Sequence, residues 1–286
     1  MRIATLDAVN NDIATCGYRR KHNLITNADV YKVMELYNID KRTLPAALGI
    51  AELTITRWLS GQVPAKKNSD IIKSVLNDCR VFKKLLDKNR GDITPFAYKE
   101  SSEACERLIA LNTAQTKIEA CALFMLRAYL DITLPALNNI LYITNAFYCW
   151  MYDGVFLFDD DCIACSMGAS YHAIRIKFAA CGAEPIRNCS MNPDFGNMLT
   201  YNEMGFLDFI VSSIGIYNNK ILTLYMTNSA PWRNAMSNAN EHSDIPNLIS
   251  SNTIRDYYIS AFGDVPRTYE SIRNYLMQCH EKRFLM

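Results

Sequence analysis

Between Asp40 and Gly61 the chain gathers side chains suited to reading duplex DNA. Thr56 and Arg57 stand side by side in a short stretch whose apolar residues, Ile55, Trp58 and Leu59, recur at helical spacing. An arginine there can donate two hydrogen bonds to guanine O6 and N7. Glu52 and Leu53, at the start of the same stretch, suit a cytosine amino group and a thymine methyl. Lys41 and Arg42 precede this stretch, and Gln62, Lys66 and Lys67 follow it. These are the two ends that would meet phosphates.

Other candidate chemistry is weaker. Cys162-x-x-Cys165 is the one close cysteine pair among ten cysteines. Joined by Cys181 and Cys189 it would make four thiolates, but the wide gap in the second pair is unlike a zinc knuckle. Packed thiols are the favoured reading, so neither metal nor cofactor is expected. Asp159-Asp160-Asp161 lacks the spaced ligands and closing glutamate of a cation loop. It reads as a solvated turn turned towards a partner protein. His22, His172, His242 and His280 adjoin no serine or cysteine motif for nucleophilic catalysis. Gly205, Gly215 and Gly263 are isolated, so there is no phosphate-cradling loop. No catalytic residue is assigned, and the chain is not expected to be an enzyme. Trp232, after Pro231 and among Asn and Ser, reads as an exposed aromatic anchor on a loop. Phe147 and Trp150 read as core.

Thr56 and Arg57 need a short helix held against another. Asp40 is placed to cap a first helix ending at Gly49, and Ala51–Ser60 forms a second, ended by Gly61. A helix begun by Asn27 carries Val30, Val33, Met34 and Tyr37 inward, and one capped by Asn68 or Ser69 carries Ile71, Ile72, Val75 and Leu76 and runs on to Leu86. Gly91, Pro95, Ser101 and Ser102 mark a linker. Residues 1–26 are polar and aperiodic. The organisation is therefore an N-terminal segment 1–26, a helix-turn-helix domain 27–90, a linker 91–104 and a larger domain 105–286. The class is mainly α, with a short β element at Val155–Phe158.

Charge follows the same division. Residues 1–100 carry 17 Lys and Arg against 11 Asp and Glu, and residues 101–286 carry 13 against 18. The first balance suits a polyanion, the second a basic or neutral protein surface. Met1–Cys16 lacks an apolar signal region, and Arg127, Asp131, Asn138 and Asn139 interrupt the apolar stretch Ala120–Tyr152. A cytoplasmic protein with reduced thiols and no membrane span is expected.

The run Thr43-Leu44-Pro45-Ala46-Ala47-Leu48-Gly49-Ile50-Ala51-Glu52-Leu53-Thr54-Ile55-Thr56-Arg57-Trp58-Leu59-Ser60-Gly61 resembles the Xre/MqsA-type antitoxin helix-turn-helix. Pro45 departs from that family's alanine and is expected to kink its helix. Leu137–Tyr148, Tyr152–Asp161, Ala164–Gly168, Thr227–Trp232 and Ile249–Tyr258 together resemble the Panacea domain. The two resemblances imply an antitoxin. Its larger domain would bind and silence a co-encoded toxin, with Asp159, Asp160, Asp161 and Trp232 as toxin contacts. Its helix-turn-helix would repress the operon as a homodimer on operator DNA. A phage or plasmid transcription regulator without a toxin partner, or a protease adaptor for a bound client, are the alternatives.

Overall fold

The computed structural model describes residues 15, 17–128, 132–187, 192–214, 219–237 and 247–284. The chain is mainly helical with a small three-stranded sheet, and it divides into two compact units, Met1–Asn112 and Thr113–Met286.

In the N-terminal unit, residues 17–21 are helical and precede α1, Asn27–Leu36. Thr26 starts α1 with a capping box. Its hydroxyl accepts from the Asp29 N–H while the Asp29 carboxylate accepts from the Thr26 N–H. Then follow α2 (Thr43–Leu48), α3 (Leu53–Leu59), α4 (Lys66–Asn77), α5 (Cys79–Lys88) and α6 (Pro95–Leu111). Val33, Leu44, Ala47, Ile55, Ile72, Val75, Phe82 and Leu86 are fully enclosed and form one core. Tyr37 stacks on Phe82 with ring centroids 3.9 Å apart and donates its hydroxyl to the Val75 carbonyl.

Three expectations are corrected here. The helix expected to run on to Leu86 is two helices, because Asp78 turns extended and its carboxylate accepts from the Arg80 N–H as a new cap. The segment expected as a linker is mostly helix. Thr94 caps α6 by accepting from the Ala97 N–H, Pro95 occupies the first position, and Ser101 and Ser102 are buried. Proline there gives up an N–H that would have had no partner anyway. Pro45 likewise lies in the first turn of α2, where it costs no intrahelical bond.

The C-terminal unit is built around α8 (Leu134–Met151), which is buried on nearly all sides. That is the pattern of a helix inside a core. Around it stand α7 (Lys117–Leu126), the hairpin β1 (Cys162–Cys165) and β2 (Gly168–Tyr171), and α9 (His172–Lys177). The chain continues with α10 (Tyr201–Ile214), α11 (Asn219–Thr227), α12 (Ala230–Ser237), β3 (Leu248–Ile249), α13 (Ser251–Phe262) and α14 (Tyr269–Phe284). The sheet order is β2-β1-β3, antiparallel, with Cys162 opposite Tyr171 and Ile249. Phe147 and Trp150 are core, and Trp150 stacks on Phe262 at 3.9 Å.

The β element is not where the apolar run suggested. Val155–Phe158 forms no strand. One buried side chain serves its backbone instead. Asn145 Oδ1 accepts from the N–H groups of Leu157 and Phe158, and its amide donates to the Phe158 carbonyl. Asn138 and Asn139, which break the apolar stretch in sequence, anchor the hairpin. Asn138 Oδ1 accepts from the Tyr171 N–H and Asn139 Oδ1 from the Ala169 N–H, both at 2.8 Å. No described helix is long and apolar enough to cross a membrane.

Candidate nucleic-acid interface

The site begins with a turn that only a few residues can make. Gly49 ends α2 at φ +67, in the left-handed region open to glycine. The Asn89 amide closes over it, donating to the Ala47 carbonyl at 3.0 Å. A Cβ on Gly49 would stand 3.1 Å from that amide nitrogen. Four residues later the chain enters α3. Ile55 and Trp58 point into the core, so Leu53, Thr56, Arg57 and Ser60 form an outward stripe at i, i+3, i+4 and i+7.

All nine residues read as DNA contacts are exposed: Lys41, Arg42, Glu52, Leu53, Thr56, Arg57, Gln62, Lys66 and Lys67. Five of them, Lys41, Arg42, Glu52, Leu53 and Thr56, line one groove with Asp40 between the start of α2 and the start of α3. Leu53 is 58% exposed, so its side chain is available at the groove. Arg57 lies outside the groove in the last turn of α3, where its charge also suits the helix dipole. Lys66 is paired with Asp70 at 2.9 Å across one exposed turn, so part of its charge is met within the fold. Asp40 accepts from the N–H groups of Thr43 and Arg42, both at 2.7 Å. The Thr43 N–H is foremost in holding its carboxyl below the usual carboxylate range.

One residue that fixes this site escaped the sequence reading. Arg19, in the segment taken as irregular, is 7% exposed. Its guanidinium donates to Gln62 O at 2.9 Å, Trp58 O at 3.4 Å and Asn27 Oδ1 at 3.0 Å. Asn27 in turn donates to the Leu59 carbonyl at 3.3 Å. Arg19 and Asn27 thus donate to the Trp58 and Leu59 carbonyls in the last turn of α3 and to the Gln62 carbonyl just beyond it. A buried cation there also complements the negative end of the dipole. One arginine of the basic run Arg19-Arg20-Lys21 carries no periodic signal, so only the tertiary contact reveals it.

The residues read as toxin contacts fare unevenly. Asp159 and Asp161 are exposed, and Asp160 is half-buried. Burial, reinforced by the charges of Asp159, Glu119 and Asp161, raises the Asp160 carboxyl above its ordinary value. An ionised Asp160 therefore costs stability, a penalty that grows as pH rises above the unfolded carboxylate range and is absent below it. Asp160→Asn is expected to raise the melting temperature at pH about 7, with the gain vanishing towards pH about 4. A gain of equal size at both values would assign it to something other than ionisation.

Trp232 is not on a loop. Pro231 stands in the first turn of α12, and the indole N–H donates to the carbonyls of Cys165 and Gly168, both at 3.1 Å. The half-buried ring pins the hairpin tip and is a fold residue, which corrects its reading as an exposed anchor. The proline marked a helix start, as at Pro95.

Cys162 is buried, and burial pushes its thiol up to about 12. Among the described residues no cluster of His, Cys, Asp or Glu is arranged to hold a metal. Cys189 and His242 lie outside the described residues. Two ion pairs were not foreseen. Lys177 meets Glu119 at 3.0 Å with both side chains nearly enclosed, and Lys117 meets Glu203 at 2.5 Å. Lys177 also donates to Thr113 O, and Glu119 accepts from the Gln115 N–H, so both charges are well served. Compared with family models, with curated proteins and with solved structures, the chain matches none.

Proposed function

We propose that this chain is a cytoplasmic DNA-binding antitoxin. The N-terminal unit binds its operator as a homodimer through a helix-turn-helix formed by α2 and α3. The C-terminal unit binds and silences a co-encoded toxin by direct contact, with no bond made or broken. The observation that carries the reading is the outward face of α3. It is an exposed stripe of Leu53, Thr56 and Arg57, with Lys41 and Arg42 across one groove, on a helix whose other face is sealed into a core. A second helix presented in this way can enter the major groove while the first crosses the backbone. The antitoxin half rests on the sequence resemblance and on the acidic balance of residues 101–286.

The test is a rescue assay with the full chain. Each small open reading frame flanking the gene is expressed alone and beside the chain from an unrelated promoter. One neighbour is expected to be toxic alone and harmless with the chain. Arg57→Ala is expected to rescue equally while weakening specific operator binding by about 1–3 kcal/mol. If no neighbour is toxic, the antitoxin half fails and a plain transcription regulator takes its place. If rescue disappears only in a strain lacking a particular protease, the chain is an adaptor.

A further inference from the structure

A second basic surface lies beside the turn between α2 and α3, carried by the end of α5 and the residues after it. Lys84 and Lys88 are exposed and four residues apart on α5, so they share one face. Arg90 follows in the 3-10 turn Arg90–Asp92. Between Lys88 and Arg90 stands Asn89, whose amide is bonded to Ala47 O and packed over Gly49. That single contact fixes both flanking cations next to the turn that leads into α3.

The carboxylates nearby do not neutralise all of this charge. Asp87 is engaged by Lys83 at 2.7 Å and by the Tyr98 hydroxyl at 2.7 Å. Asp78 pairs with Arg80, and Asp92 is exposed. Lys84 and Lys88 form no ion pair among the described residues. Arg90 lies over the Tyr98 ring, its central carbon 4.6 Å from the centroid. Stacking of that kind orders the guanidinium while its edge remains free to donate to an anion such as phosphate.

We infer that Lys84, Lys88 and Arg90 form a backbone clamp that extends the DNA footprint beyond α3, contacting phosphates without reading sequence. This rests on the DNA-binding reading above. The patch adjoins the turn between α2 and α3 through the contacts of Asn89 with Ala47 and Gly49. Its chemistry, two exposed lysines without an ion pair among the described residues and one ring-stacked arginine, suits a polyanion.

The test uses the full chain and two duplexes of about 40 base pairs, one from upstream of its own gene and one shuffled, titrated across a range of salt concentrations. In the triple variant K84Q/K88Q/R90Q, affinity at about 100 mM salt is expected to fall about 10–100-fold on both duplexes alike. The slope of log K against log salt should shrink by about 2–3, since each phosphate contact contributes about 0.9. The preference for the native duplex stays. Lys84→Gln and Lys88→Gln alone should each reduce the slope by about one, which serves if the triple variant folds poorly. Unchanged slope and affinity in all three variants, with the wild type binding normally, overturns the clamp and leaves the α3 reading standing. If the wild type binds neither duplex, the DNA reading itself falls and the clamp with it.

Discussion

Gly168→Ala is expected to destabilise the C-terminal unit by at least about 3 kcal/mol. Gly168 sits at φ +111, where a side chain is strained in any surroundings. A Cβ there would also stand 2.1 Å from Asn139 Oδ1. Asn139 has no cheap retreat. Its oxygen accepts from the Ala169 N–H, its amide donates to the Met167 carbonyl at 3.0 Å, and it is fully buried on α8. Moving it leaves buried backbone groups unpaired, and the hairpin tip held by Trp232 moves with it. Denaturant unfolding of the full chain reads the effect. Adding Asn139→Ala should cost less than the sum of the two single changes, because the oxygen in the way is gone. Full additivity, or a loss below about 1 kcal/mol for Gly168→Ala alone, would mean that the hairpin tip relaxes freely.

Arg19→Met is expected to lower the stability of the N-terminal unit by about 2–4 kcal/mol, since three acceptors, one buried and two part-buried, lose a charged donor. The end of α3 should loosen first. Hydrogen exchange of the backbone over residues 53–62 should quicken more than that of α4. DNA binding should weaken even though Arg19, being buried, touches no DNA. Arg19→Lys keeps the charge but not the planar fork that spans Asn27 and Gln62, and should recover only part of the loss. Uniform exchange across the unit, with α3 no more affected than α4, would make Arg19 an ordinary core residue.

The helices around the candidate interface were legible because their signals are local. Asp40 bonds the Thr43 N–H at the start of α2, Gly49 takes a positive φ, and Ile55 and Trp58 fall on the buried face. Composition misled wherever one residue type has two structural meanings. Pro95 and Pro231 read as loop punctuation, yet each stands in the first turn of a helix, where its missing N–H costs nothing. Asn138 and Asn139 read as interruptions of an apolar run, and Asn145 is given no role. They are instead the bonds that hold the hairpin and residues 157–158 to α8. Arg19 and Asn89 were invisible for a different reason. Their partners lie about forty residues away in sequence, and no pattern along the chain records such a contact.

The most direct test of the account is equilibrium binding of the full chain to a duplex from upstream of its own gene, repeated from about 50 to 200 mM salt. Binding is expected to favour that duplex over a shuffled one and to weaken steeply and linearly in log salt. Arg57→Ala should lose most of the preference while keeping the slope. Absence of binding at the lowest salt, or binding without preference that Arg57→Ala leaves unchanged, would contradict the assignment of α3 as the reading helix.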